Sequence, residues 1–201
     1  MTTEILKPPL HMRRPDLANL PEPALPAGYA LRCWREGDGA HWSRIIQVSY
    51  DCPPEHCDFA KIMHADAAFL PERIKFITCD DQPVATASAY YRASFMADFG
   101  MLHYVGALPG HQGRHLGYWV CLAALWRMRE DARRGAWLST DDFRLPAIKT
   151  YLRLGFAPLL FHDNQRERWP RVFEALGQPE LAEKFAAILA GPVYQPAGTT
   201  P

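Results

Sequence analysis

The chain has 201 residues, of which 48% are hydrophobic and 22% charged, a balance that suits one globular domain with a short appendage and a core needing no disulfide or metal to hold it. Lys plus Arg and Asp plus Glu each number 22, so the formal net charge is zero, which argues against bulk nucleic-acid binding but leaves room for a local basic pocket. No apolar run approaches the ~20 residues that cross a bilayer, and the opening residues lack a signal-peptide core, so the expectation is a soluble cytoplasmic protein away from membranes.

Residues 1–27 contain six prolines and little periodicity. Proline lacks a donor N–H and fixes its own backbone, so this stretch reads as an extended arm, either packed on the domain or disordered. From Gly28 the pattern changes. Tyr29 to Trp34 alternates and predicts a strand. Asp38 to Tyr50 reads as a helix, with Asp38 a possible cap and Trp42, Ile45, Ile46 and Ser49 at helical spacing. A proline-broken loop over 52–58 precedes a second predicted helix, Phe59 to Phe69, ended by Pro71. Arg73 to Cys79 and Val84 to Tyr91 read as a hairpin around Asp80 to Pro83. Met101 to Leu108 predicts a third strand of that run, and Gly106 within it signals a bulge or a close backbone approach.

After Pro109 a polar, Gly-containing loop opens into a predicted helix from Leu116 to Arg134, apolar on almost every side through Trp126. Ala136 to Thr140 reads as a short buried strand, Leu145 to Leu154 as an amphipathic helix stopped by Gly155, and Phe156 to His162 as a last strand. Two short helices, Pro170 to Leu176 and Pro179 to Leu189, each open with proline and end at glycine. No internal repeat appears. The order β-α-α-β-β-β-α-β-α-β implies an α/β (α+β) domain, a mixed sheet flanked by helices. The division expected is an arm over 1–27, a domain over 28–162 and a helical extension with a tail over 163–201.

Cys33, Cys52, Cys57, Cys79 and Cys121 form no CxxC pair, and an odd, scattered set fits reduced thiols better than a disulfide framework. Cys52, His56, Cys57 and His64 match no standard zinc spacing, so no metal is expected.

The loop over 111–117 is the most informative segment. A strand, a Gly-containing loop and a helix N-terminus make an anion site, because unpaired N–H groups point outward and the macrodipole adds roughly half a positive charge. Gly113 and Gly117 carry no side chain to block a phosphate, while Arg114 and His115 offer charge or donors. The spacing is neither GxGxxG nor a P-loop.

Leu108-Pro-Gly-His-Gln-Gly-Arg-His-Leu-Gly117 resembles the acetyl-CoA loop of the GNAT N-acetyltransferase superfamily, in which Arg or Gln, two residues, Gly, one residue and Gly or Ala follow a strand. Pro146-Ala-Ile-Lys-Thr-Tyr-Leu-Arg-Leu-Gly-Phe156 resembles that family's second signature, an Ala on a helix followed by Tyr and Leu-Gly-Phe. The resemblance implies a mostly antiparallel sheet with a V-shaped splay between the central strands. It implies an enzyme transferring an acetyl or acyl group from acetyl-CoA to a primary amine by direct attack, without a metal, as a monomer or homodimer. A CoA-binding module without turnover is the alternative. By the same resemblance, Val105, Gly106 and Ala107 match the strand edge that holds the pantetheine arm. Gln112 matches the residue that starts the loop, and Gly113, Arg114, His115, Leu116, Gly117 and Tyr118 match the wrap around the pyrophosphate. Two positions depart from the pattern. His115 replaces the loop's middle glycine, so its side chain is expected to crowd or touch the phosphates and its backbone to avoid a glycine-only conformation. Arg144 replaces a frequent Asn, keeping a reach to cofactor but losing the carbonyl acceptor.

Acyl transfer to an amine needs alignment, a polarised carbonyl, a neutral amine and a proton for the departing thiolate. The resemblance implies that Tyr151 gives that proton; a core-packed helix tyrosine is the structural alternative. One subgroup of the family carries a basic glutamate at the slot of Ser139, which serine cannot replace. Another places it near His103, whose ordinary pKa suits general-base work, although a half-buried, backbone-bonded histidine is the simpler expectation. Asp141 and Asp142 are further candidates, with a helix N-cap as their plainer role. Trp119, Trp126, Trp137 and Phe143 read as core or cleft wall, and Arg166, Arg168 and Trp169 as an acceptor lining or a solvated helix start.

Overall fold

The computed structural model describes residues 7–92 and 95–195, so residues 1–6 of the predicted arm and 196–201 of the predicted tail lie outside the described residues. The chain divides into two compact units, Pro15–Ala136 and the remainder.

In Pro15–Ala136, four strands run in the order β2-β3-β4-β5: β2 (Tyr29–Cys33), β3 (Ile74–Cys79), β4 (Gln82–Tyr90) and β5 (Phe99–Ala107). All three pairings are antiparallel. The β3–β4 turn has only two central residues, Asp80 and Asp81, both with positive φ (48° and 59°). That is the backbone a right-twisted hairpin demands, and aspartate tolerates it well. Every residue from Pro83 to Tyr90 is buried, so both faces of β4 are covered. The helices α1 (Gly39–Tyr50) and α2 (Leu116–Glu130) supply that cover by packing against β4 and β5. Helix α2 stops four residues earlier than the pattern predicts. Ala132 takes φ 55°, and the amides of Ala132 and Arg133 return to the carbonyls of Arg129 and Met128, a closed C-terminal cap.

The predicted helix over 59–69 is absent apart from one wide turn, Ala60–His64. Asp58 takes the amides of Ala60 and Lys61, and Asp66 takes that of Ala68, so side chains satisfy the backbone locally. The aromatic residues of this segment gather around Trp34 instead of forming a stripe: Phe59 stacks on it at 5.6 Å and Phe69 meets it edge-on at 5.4 Å. Cys52 and Cys57 are joined by a disulfide, which corrects the expectation of reduced thiols and removes both from any metal set. Cys33, Cys79 and Cys121 are free.

The second unit contains β1 (Leu10–Arg14), β6 (Gly135–Thr140, whose first two residues belong to the other unit), α3 (Leu145–Arg153), β7 (Ala157–Leu159), α4 (Gln165–Ala175), α5 (Leu181–Lys184) and α6 (Ala186–Ala190). Strand β1 lies between β6 and β7 and pairs antiparallel with β7. The proline-rich arm thus contributes a strand that its periodicity did not announce, with Leu10 and Met12 fully buried. Two buried side chains of α4 hold it. Gln165 donates to the Pro9 carbonyl at 2.7 Å while accepting the amides of Phe161 and His162. Arg168 donates to the Pro8 carbonyl at 2.8 Å. Helix α4 also starts five residues before the predicted Pro170, which sits inside it.

The strands are therefore mostly antiparallel and flanked by helices, the mixed α/β class that the element order implies. Among the described residues, no helix is long and apolar enough to cross a membrane.

Candidate active site

The cofactor half of the expected site lies in Pro15–Ala136. Strand β5 is bulged. Ser88 pairs with His103 and Thr86 with Gly106, so the single residue Ala87 opposes both Tyr104 and Val105. Tyr104 takes φ 47°, the left-handed turn that absorbs the extra residue. The bulge sends the Tyr104 ring against Trp42 of α1 at 4.9 Å and sets the His103 ring beside it at 3.9 Å. Gly106 is also a close approach: a Cβ built there would lie 2.7 Å from Ser49 Oγ and 3.0 Å from Ile45 Cγ2. The Ala107 amide donates to Ser49 Oγ at 3.1 Å. That backbone donor is engaged, and reaches a ligand only if Ser49 yields.

The chain leaves β5 through a 3₁₀ turn, Pro109–His111, and enters α2 at His115. Tyr29 Oη and His111 Nδ1 lie 2.8 Å apart and tie this loop to β2. Gln112, Gly113, Arg114 and His115 are exposed. Gly113 has φ 78°, and His115 has φ 56°. The histidine therefore sits in the left-handed region, which is not a glycine-only conformation: histidine is among the few non-glycine residues enriched there. The amides of Tyr118 and Trp119 both donate to the His115 carbonyl, which starts the helix. Helix geometry leaves Leu116 and Gly117 as orphan donors at that end, with no side chain capping them. Leu116 is buried, so it offers a ligand only its backbone. A Cβ built at Gly110, Gly113 or Gly117 meets nothing within 4 Å. The Arg114 guanidinium folds back toward the Gly110 and Gln112 carbonyls at 3.5 and 3.3 Å. Open backbone donors on a helix dipole, beside exposed Arg114 and His115, suit the phosphates of a nucleotide-like ligand.

His103 sits between Tyr90, at 5.6 Å, and Tyr104. Burial, with the Arg92 charge assisting, pushes its pKa from 6.5 down to about 4. At neutral pH the ring is uncharged and able to accept a proton, but it is a weaker base than its ordinary pKa suggested. Tyr90 bonds the Asp66 carboxylate; that bond first, then the Ala68 amide, holds Asp66 below its usual range. Burial and Asp66 together raise the Tyr90 hydroxyl. Asp66, Tyr90 and Tyr104 were not singled out from sequence, and Ser49 was legible only for its helical spacing. Gly106 signals the bulge itself; which side chains it gathers depends on the register between β4 and β5, which no spacing announces.

The remaining candidates belong to the second unit. Tyr151 lies on the buried face of α3, its ring edge-on to Phe156 at 6.1 Å. Neither Asp141 nor Asp142 caps α3, which begins at Arg144 without a side-chain cap. Asp141 pairs with Arg144 at 2.8 Å, and Asp142 accepts a two-pronged bond from Arg168 at 2.9 and 3.1 Å. Arg168 and Trp169 are buried, which corrects their reading as a solvated helix start or acceptor lining. Phe143, read as core or cleft wall, is 75% exposed with the Arg144 guanidinium over its ring. Ser139 is exposed on β6.

Residues 40–156 match a family model described as the Acetyltransferase (GNAT) family. The chain is 30% identical over 148 residues to a mycothiol acetyltransferase of Nocardia farcinica, a match spanning 69% of this chain and 48% of the relative. It is 30% identical over 156 residues to a mycothiol acetyltransferase of Actinosynnema mirum, spanning 74% and 51%. The chain thus spans about half the length of the curated relatives it matches. Two solved structures show the likeness in fold. A GCN5-related N-acetyltransferase from Sphaerobacter thermophilus superposes with a TM-score of 0.61 at 19% identity, over 76% of this chain and 49% of that one. A GNAT family acetyltransferase from Brucella melitensis in complex with acetyl-CoA gives 0.51 at 19% identity, over 67% and 88%.

Proposed function

The chain belongs to the GNAT acetyltransferase family, and from that premise we propose that it transfers an acetyl group from acetyl-CoA to a primary amine. The observation that carries the reading is the bulged β5 leading into an open loop and the bare N-terminus of α2. Bound acetyl-CoA supplies an activated acyl group on a thiol leaving group.

The chain's own residues then have three tasks. The amides of Gly113 to Gly117 and the α2 dipole hold the pyrophosphate, with Arg114, His115, Gln112 and Tyr118 around it and Arg144 toward the cofactor. The backbone of Val105, Gly106 and Ala107 holds the pantetheine arm and polarises the carbonyl. His103, uncharged at neutral pH, accepts a proton from the attacking amine, and the Tyr151 hydroxyl returns one to the departing thiolate. The carbon–nitrogen bond forms as the carbon–sulfur bond breaks, and the products are an N-acetylated amine and free CoA.

One observation favours the alternative, a CoA-binding module without turnover: the His103 pKa of about 4 makes it a weak base. Thermal unfolding with acetyl-CoA tests the part common to both readings. Ligand at a hundredfold excess over its Kd stabilises a fold by about 2.7 kcal/mol, a shift of roughly 5–10 °C for a chain near this size. No shift at millimolar acetyl-CoA contradicts both.

A further inference from the structure

Cys33, the last residue of β2, stands directly across from Lys75 of β3 in their antiparallel pairing, so both side chains leave the same face of the sheet. The Lys75 ammonium donates to the Cys33 sulfur at 3.3 Å, while the thiol turns its own proton toward the Glu72 carbonyl at 3.8 Å. Among the described residues Lys75 forms no ion pair, so no carboxylate draws its ammonium away from the sulfur. Both residues are half-exposed and open to a small solute.

A thiol that meets a hydroperoxide becomes a sulfenic acid, which condenses with a second nucleophile standing beside it. No other cysteine can play that part for Cys33. Cys79 pairs with Tyr29 at the far end of the same two strands, four positions along, or about 13 Å at about 3.3 Å per residue. That is well beyond the reach of a disulfide. Cys121 is buried, and Cys52 is bonded to Cys57. The nucleophile in place is the Lys75 amine.

We infer that Cys33 and Lys75 form an oxidative modification site, at which reaction with a hydroperoxide leaves a reversible sulfur–nitrogen bridge between the two strands. In the first step the sulfur attacks the peroxide O–O bond. The thiol is oxidised to a sulfenic acid, and the hydroperoxide is reduced to an alcohol, or to water where it is hydrogen peroxide. In the second step the Lys75 ammonium gives one proton to solvent and its lone pair attacks the sulfur. The S–O bond breaks as the S–N bond forms, and the departing hydroxide takes a second proton from the nitrogen and leaves as water. Two equivalents of a reducing thiol reverse the bridge, restoring the Cys33 thiol and the Lys75 amine and leaving the reductant as its disulfide. The bridge fastens β2, the edge strand of the sheet, to β3. It stands apart from acetyl transfer, because neither residue has a part in that reaction.

Peptide mass spectrometry of the folded full chain after treatment with hydrogen peroxide tests the assignment, with dimedone as the trap for sulfenic acid. The expected product is a cross-linked species joining Cys33 to Lys75, two hydrogens lighter than the two free peptides together and released by dithiothreitol. Lys75→Arg keeps a cation beside the sulfur but removes the nucleophilic amine. That variant is expected to lose the cross-link, while dimedone labelling of Cys33 rises severalfold because its sulfenic acid is no longer consumed. Circular dichroism of the variant checks that it keeps the fold, and Lys75→Gln repeats the test without the charge. Absence of the cross-link at every peroxide level that the fold withstands overturns the inference. So does a bridge from Cys33 to any other residue, or dimedone labelling of Cys33 that neither folded variant changes.

Discussion

Ser49 of α1 leans over Gly106 of β5: a Cβ built on the glycine falls 2.7 Å from Ser49 Oγ, and the same hydroxyl accepts the Ala107 amide at 3.1 Å. The approach is possible only because position 106 has no side chain. Gly106→Ala is therefore expected to destabilise the fold by about 1–3 kcal/mol through overpacking. Adding Ser49→Ala removes the nearest atom and is expected to recover at least about 0.5 kcal/mol as coupling between the two positions. Urea unfolding of the two single variants and the double variant measures this; strictly additive costs would contradict the contact.

Gly117 offers a cleaner probe of the loop than Gly113. A glutamate at Gly113 inherits φ 78°, a backbone that costs a non-glycine residue about 1–2 kcal/mol. Gly117 is helical, carries no positive φ and faces open space. Gly117→Glu is expected to hold or raise the unliganded melting point, because glycine is a poor helix former and an acid favours a helix N-terminus. The same charge is expected to abolish stabilisation by CoA. A CoA shift that survives would remove the phosphates from this loop.

His115→Gly tests the departure from the family pattern. It relieves the left-handed backbone at φ 56° but adds chain freedom in the unfolded state, so the two effects nearly cancel. CoA affinity is expected to stay equal or tighten. A loss of about tenfold, or 1.4 kcal/mol, would make the imidazole a phosphate ligand.

Two half-buried histidines give the fold a pH dependence. Burial, with His162 assisting, pushes His11 from 6.5 to about 4, and burial pushes His103 equally far. A folded-state pKa below the unfolded one means that the unfolded chain binds more protons. Stability is then fully present above pH 6.5 and drains as pH falls toward 4. Between those limits each histidine is expected to remove about 1.4 kcal/mol per pH unit. His11→Phe keeps ring packing against Phe161, 4.2 Å away, and is expected to flatten the slope. Unfolding measured across that range checks it, and a flat profile in the parent chain would contradict the lowered pKa of both rings.

Tyr151→Phe keeps the ring edge-on to Phe156 and loses only the hydroxyl. If that hydroxyl protonates the departing thiolate, kcat is expected to fall by roughly 10²–10⁴, with acetyl-CoA affinity within a few fold. The loss should shrink for a donor whose thiol leaves more easily. A variant that keeps its turnover but melts several degrees lower would make the hydroxyl structural.

What could be read in the sequence follows from how local each signal was. The strands from Tyr29 to Ala107, helices α1, α2 and α3 and the open loop at Gly113 announced themselves through period, turn residues and glycine placement. Strand β1 did not, because Leu10 and Met12 form a strand only through pairing with residues 157–159. The helix predicted over 59–69 failed because Asp58 and Asp66 satisfy the backbone locally and Phe59 and Phe69 pack around Trp34. In the site, the loop glycines were legible and the environment of His103 was not. Its lowered pKa depends on burial and on Arg92, with Asp66 opposing them, and no spacing connects these to it.

The most direct test of the central claim is release of free CoA thiol from acetyl-CoA, measured against a panel of primary amines with the parent chain and with Gly117→Glu. The account predicts release that depends on both enzyme and amine, saturates with acetyl-CoA, and disappears in Gly117→Glu although that variant stays folded. Stabilisation by acetyl-CoA with no amine-dependent release would leave only the binding module. Neither stabilisation nor release above the uncatalysed rate would contradict the account outright.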